Sequence, residues 1–154
     1  MTAHLDGEIR DGRHHMQVRV YYEDTDFSGI VYHANYLRYM ERARSDMLRL
    51  AGVDQRAAHD AGEGAWAVTD LHIRYRLPAR LDDVLMVESR TVAVRGASVA
   101  IAQRILRDDT ILTEAAVTAA FLSPEGRPKR QPAAWAEQFR ALISTDWPNT
   151  ENAR

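Results

Sequence analysis

The chain contains no cysteine. That excludes a disulfide framework, a thiolate zinc site, an iron–sulfur cluster and a cysteine nucleophile, so any covalent nucleophile must be oxygen or nitrogen. Lysine is almost missing as well: nineteen of the twenty basic residues are arginine, a bias that genome composition explains as readily as anion binding. An excess of one charge is also lacking, because twenty Lys and Arg face twenty-two Asp and Glu, for a formal net charge of -2. The electrostatic footprint of non-specific nucleic-acid binding is therefore absent. No stretch approaches the ~20 apolar residues of a membrane span, and the first fifteen residues mix charge and histidine where a signal peptide carries an apolar run. The expectation is a cytoplasmic protein that acts on a small molecule or a protein.

What is present is 154 residues, 45% of them hydrophobic, enough for one domain with a sizeable core and too few for two. Residues 1–15 follow neither the helical nor the strand period and read as a loose arm; a single domain is expected over 16–144 and a polar tail over 145–154. Val18 and Val20 alternate with Gln17 and Arg19, which predicts a half-buried strand from Met16 to Tyr22. Tyr36, Met40, Ala43, Met47 and Leu50 then recur at steps of three and four, predicting a helix of about five turns that starts at Ala34 and stops near Gly52. The segments 66–77, 84–94, 98–107 and 111–123 are rich in Val, Ile, Thr and aromatics, and the last three read as an antiparallel meander. Glu88, Arg90, Arg104 and Arg107 interrupt these strands and suggest one solvated face. A short terminal helix fits 135–143. The order of elements predicts an α+β fold in which one long helix covers one face of a five-stranded antiparallel sheet, and homo-oligomerisation is the simplest cover for the surface left bare.

The densest polar cluster is Glu23, Asp24, Asp26, Ser28 and His33, between the first strand and the long helix. A helix N-terminus offers free N–H groups and partial positive charge, so a carboxylate just before it is placed to attack a carbonyl polarised there, or to activate water toward it. The same acids are also ordinary helix caps, and the spacing alone does not separate the two readings. A Ser–His–Asp triad from Asp26, Ser28 and His33 is disfavoured, since one turn rarely supplies that geometry and the G-x-S-x-G elbow is absent. GEGAWA at 62–67 mimics a dinucleotide motif but precedes a strand instead of following one. His14 and His15 lie in the arm, His59 and His72 stand alone, and no H-E-x-x-H pair exists, so a metal site is unsupported. Arg127, Lys129 and Arg130, set among three prolines, are either a solvated loop or a phosphate contact on a rim.

The stretch VRVYYEDTDFSGIVYHANYLRYMERAR, residues 18–44, resembles the hot-dog-fold acyl-CoA thioesterases, in the 4-hydroxybenzoyl-CoA thioesterase-like branch that includes the Tol-Pal-associated enzymes. The resemblance continues more weakly through YRLPARLDDVLMV (75–87) and VRGASVAIAQRI (94–105). It implies a hot-dog fold, a long helix wrapped by an antiparallel sheet, and hydrolysis of an acyl-CoA thioester without metal or redox cofactor. It assigns Asp26 as the catalytic carboxylate, nucleophile or general base, and His33 as the residue whose backbone N–H polarises the thioester carbonyl, with its side chain also implicated. Gly29, Tyr32 and Asn35 shape the substrate site in the same motif. Many relatives have a small residue or proline after the aspartate, where this chain has Phe27, a difference that bears on the acyl pocket. A second branch uses a helix glutamate instead, and Glu41 is the residue available, some ~12 Å along the axis from His33. Sites in this family lie at a dimer interface, which implies a homodimer at least and points to a homotetramer. A hot-dog hydratase or dehydratase and a non-catalytic acyl-CoA-binding module are the competing readings.

Overall fold

The structure is a computed structural model and describes residues 5–143 and Trp147. Six strands, β1 (Glu8–Arg10), β2 (Arg13–Arg19), β3 (Ala65–Tyr75), β4 (Val84–Val94), β5 (Ser98–Arg107) and β6 (Thr110–Leu122), form one sheet in the order β1-β2-β4-β5-β6-β3. Every neighbouring pair is antiparallel. The helices are α1 (His33–Leu50), α2 (Gln55–Asp60) and α3 (Ala133–Ala141). Since β2 pairs with β4 while β3 pairs with β6, the chain crosses from one side of the sheet to the other through α1, which packs on apolar side chains of the sheet.

Tyr36, Tyr39, Met40, Ala43 and Met47 form the buried stripe of α1. The first four pack with Val20, Leu85, Val87, Ile105, Leu112 and Val117 of the sheet side. Met47 joins a second cluster with Val99, Ile101, Phe139 and Leu142, which α3 closes. The stripe is not purely apolar, for Asn35 and Asp46 are buried on the same helix.

Four sequence expectations need correction. The sheet has six strands, not five, and residues 1–15 are not a loose arm where they are described. β1 and β2 form a hairpin with Arg10 opposite Arg13, and Asp11 and Gly12 both take positive φ (54° and 72°), the two-residue turn that matches strand twist. The strand expected at 16–22 runs instead from Arg13 to Arg19, and Tyr22–Asp24 is a 3-10 turn. The hairpin escapes hydrophobic periodicity because charged residues line β1 and its anchor is polar: His14 is fully buried against Asp46 of α1. The polar sheet face is also less wet than expected. Arg104 is only 2% exposed, with Nε 2.7 Å from Glu88 and its guanidinium 4.5 Å from the Trp147 ring centroid. The tail expected at 145–154 otherwise lies outside the described residues.

Candidate active site

The link between β2 and α1 is a tight hairpin. Thr25 and Val31 form an antiparallel bridge, the Asp26 N–H donates to Ile30 O (2.9 Å), and the Gly29 N–H donates to Asp26 O (3.0 Å). Gly29 has φ of 82°, the left-handed conformation that glycine enters without a Cβ penalty, so its part in the motif is to close this turn. Asp26 sits at the turn with an exposed side chain. Its Oδ1 accepts both the Ser28 N–H (2.8 Å) and the Ser28 hydroxyl, and these two bonds hold its pKa below the ordinary carboxylate value. Ser28 is thus a partner that keeps Asp26 ionised, not a nucleophile with its own base. Oδ2 retains its lone pairs for chemistry.

The second half of the site is the start of α1. Tyr32 is the N-cap residue and supplies no side-chain cap, and His33 is the first helical residue. Among the described residues the His33 N–H has no hydrogen-bond acceptor, so it remains one of the orphan donors of a helix start. The helix is held in place from behind. Asn35 Nδ2 donates to Oδ1 of the buried Asp24 (2.8 Å), whose Oδ2 accepts the Tyr21 N–H (2.8 Å). Asn35 is therefore buried, and its amide holds the helix start from within the core. Neither acid caps α1, whose start has no side-chain cap; Asp24 instead holds the 3-10 turn and Asn35.

Asp26 and His33 open on one cleft of about 400 Å³, shared with Tyr36, Tyr75, Arg76 and Pro78. Tyr75, on the far end of β3, donates its hydroxyl to His33 O (2.8 Å), and its ring stands edge-on to the imidazole with centroids 6.4 Å apart. Tyr32 packs its ring 4.5 Å from that of His33 on the other side. The cleft wall from β3 was missed in the sequence, where Tyr75 and Arg76 read only as strand residues; the one signal available was the weak resemblance through 75–87.

Two candidates lie elsewhere. Glu41 faces a different cavity with Arg44 and Ser45, away from Asp26. The basic trio stands at the opposite end of the β3–β6 ladder. Ala65 pairs with Leu122 and Tyr75 with Thr113, while Pro128 bridges to Leu122 and Lys129 Nζ donates to Glu63 O (2.7 Å). Ten residue steps of strand, roughly 30 Å, separate the trio from His33, so Arg127, Lys129 and Arg130 stand far from Asp26 of the same chain. Among the described residues no group of three or more His, Asp or Glu is arranged to hold a metal ion, and no helix is long and apolar enough to cross a membrane.

Comparison with known proteins agrees with this geometry. A profile of the thioesterase superfamily matches residues 28–114. The acyl-CoA thioesterase YbgC of Haemophilus influenzae is 40% identical over 126 residues, 82% of this chain and 90% of that one. The acyl-CoA thioester hydrolase YbgC of Escherichia coli O6:H1 is 40% identical over 125 residues, covering 80% and 92%. Among solved structures, a probable thioesterase from Bartonella henselae superposes with a TM-score of 0.75 at 38% identity, over 78% of this chain and 99% of that one. The helix wrapped by an antiparallel sheet is thus the hot-dog fold, and the chain belongs to the thioesterase superfamily.

Proposed function

We propose that the protein is a cytoplasmic acyl-CoA thioesterase that hydrolyses a thioester to a carboxylic acid and free coenzyme A. The observation that carries the proposal is the shared cleft of Asp26 and the free His33 N–H. A thioester carbonyl seated there receives a hydrogen bond from the His33 N–H at the positive end of α1, where negative charge develops on its oxygen. The ionised Asp26, acting as general base, takes a proton from water through Oδ2 as the water oxygen bonds to the carbonyl carbon. Collapse of the tetrahedral intermediate breaks the C–S bond, and the thiolate leaves with that proton. If Asp26 bonds to the carbonyl carbon itself, the same ionised state is required. The relatives named as acyl-CoA thioesterases support the choice of thioester.

The working unit in this proposal is a homodimer at least, with a homotetramer as its larger form. Phe27, beside Asp26, is as exposed as in an extended chain (108%), and Tyr21, Tyr22 and Tyr32 are exposed around it. So large an aromatic surface beside a site calls for a cover. β3 is an eleven-residue edge strand with Val68 and Leu71 exposed, an open template for pairing with another strand. Two-fold antiparallel pairing about the middle of β3 lays the partner's Ala65 end beside Tyr75. The partner's Arg127, Lys129 and Arg130 then approach the cleft from which they are distant within one chain, as cations for the phosphates of coenzyme A.

The test is turnover of a panel of acyl-CoA thioesters by the full chain and by Asp26→Asn. Hydrolysis by the native protein and a loss of at least about a hundredfold in kcat for the variant are expected. Near-native hydrolysis by Asp26→Asn, with deamidation excluded, would place the chemistry elsewhere. Hydration or dehydration at Cα and Cβ without release of free coenzyme A would replace thioester hydrolysis as the function.

A further inference from the structure

The cleft at Asp26 is open, and Ile30, Val31, Tyr36, Tyr75 and Leu77 give it short apolar walls beside Arg76. A second cavity of about 330 Å³ lies between the second half of α1 and the sheet. Its interior is aliphatic and aromatic, from Leu48, Val68, Val99, Ile101 and Phe139, while Glu41 and Arg44 are the charged residues on its lining. It ends at Trp66. Beyond that ring is a third cavity of about 330 Å³ lined by Ala58, His59, Phe121 and Trp135, and Trp66 and Gln55 belong to both. Trp66 is a partition held by aromatic packing, with centroids 5.3 Å from Phe121, 5.7 Å from Phe139 and 6.3 Å from Trp135. Its indole N–H is buried without a hydrogen-bond partner among the described residues, so packing and not a polar contact fixes the ring.

We propose that this cavity receives a linear, saturated acyl chain and that Trp66 is the wall that sets the longest chain accepted. The inference rests on the thioesterase reading and on pairing through β3. Within one chain the cavity and Asp26 are at different ends of α1 and β3: Val68 lines the one, Tyr75 the other. Two-fold pairing about the middle of β3 reverses that order and brings the partner's Tyr75, with the His33 it bonds, to the Ala65–Val68 end of the strand, where Ala67 and Val68 line the cavity. A thioester whose carbonyl is at Asp26 of one protomer then has its acyl chain directed into the cavity of the other. The aliphatic lining offers such a chain contact and no obligatory hydrogen bond, and each methylene buried before Trp66 adds to binding.

The experiment uses coenzyme A S-alkyl thioethers, which cannot be hydrolysed, from ethyl to dodecyl, titrated calorimetrically into the full chain. kcat/KM for acyl-CoA thioesters of the same lengths is measured in parallel. Affinity for the native protein should rise about fourfold per methylene and then level off. Trp66→Ala, which joins the two cavities, should move the plateau to longer chains. Ala119→Leu, which adds bulk inside the second cavity, should move it to shorter ones and lower the ratio of long-chain to short-chain kcat/KM at least about tenfold. If Trp66→Ala fails to fold, Trp66→Phe together with Ala119→Leu gives the same pair of shifts in smaller measure. A plateau at one length in all proteins, an affinity indifferent to length, or tighter binding of an aryl thioether than of every alkyl one would overturn the proposal. A native protein that grades the thioethers but hydrolyses no acyl-CoA would retain the cavity assignment and remove the thioesterase reading.

Discussion

His14 Nε2 lies 2.6 Å from Oδ2 of Asp46, and the Gly7 N–H donates to the same oxygen at 2.9 Å. One buried carboxylate in the second half of α1 thus fastens the N-terminal hairpin. Burial lowers the His14 pKa, against the opposing pull of Asp46, so the folded state favours neutral imidazole. The unfolded chain takes up a proton near the ordinary histidine value while the folded one resists it. Stability should therefore be full above that value and fall as pH drops below it.

Removing the imidazole leaves Asp46 with fewer partners in a dry place. His14→Ala should cost roughly 2–4 kcal/mol in urea unfolding, with acid sensitivity near pH 6 reduced. An unchanged midpoint would show that the hairpin contributes nothing to global stability.

Ser28 holds the other decisive carboxylate. Because its two hydrogen bonds depress the Asp26 pKa, the acid limb of kcat/KM should fall below the ordinary carboxylate range. Ser28→Ala should shift that limb upward while leaving the neutral-pH plateau within a few-fold of native. A limb that stays in place in the variant would mean that another group controls ionisation.

His33 divides into two parts, a backbone donor and an imidazole. His33→Ala keeps the N–H and should reduce turnover less than Asp26→Asn does. Complete loss in a folded variant would assign the imidazole a proton-transfer role.

The trio of cations gives a test of dimer geometry. Neutralising Arg127, Lys129 and Arg130 together should raise KM for acyl-CoA and weaken its salt dependence, without affecting a truncated thioester that lacks the nucleotide. Mixing that variant with Asp26→Asn should create hybrids in which one site pairs an intact Asp26 with the partner's intact cations, restoring native KM at about half the native kcat. A hybrid that keeps the raised KM would place the cations on their own chain's site or outside it. Light scattering at 17.5 kDa from a protein that still turns over would exclude the dimer altogether.

Much of the fold could be read from spacing because its largest elements bury one regular face each. Tyr36, Met40, Ala43 and Met47 fall on the predicted stripe, and β4, β5 and β6 lie within two residues of their expected ends. The hairpin at Arg10–Arg13 did not follow from periodicity, although Asp11-Gly12 is a turn signal, because its anchor is a histidine–aspartate contact between distant segments. Likewise the burial of Arg104 depends on Glu88 across a strand pair and on Trp147 far along the chain. At the candidate site, Asp26 and Gly29 lie in one local turn and His33 opens the helix just after it, so their proximity follows from closeness in sequence. The contributions of Tyr75 and the distance of Lys129 depend on the β3–β6 register, which no local pattern carries.

The strand order has a kinetic consequence. β4, β5 and β6 are neighbours in both chain and sheet, so short turns let them zip early. β2 is different: Met16 must find Val87 across the whole of α1 and β3. β3 in turn can add only after β6, the last strand to be made, supplies Phe121 for Trp66 and Thr113 for Tyr75. Loop closure is thus paid twice before the two halves of the Asp26 cleft meet, and the cleft is among the last features to form as the chain emerges from synthesis. Until then the N-terminal half, already made, waits with an amphipathic helix and no sheet to cover it.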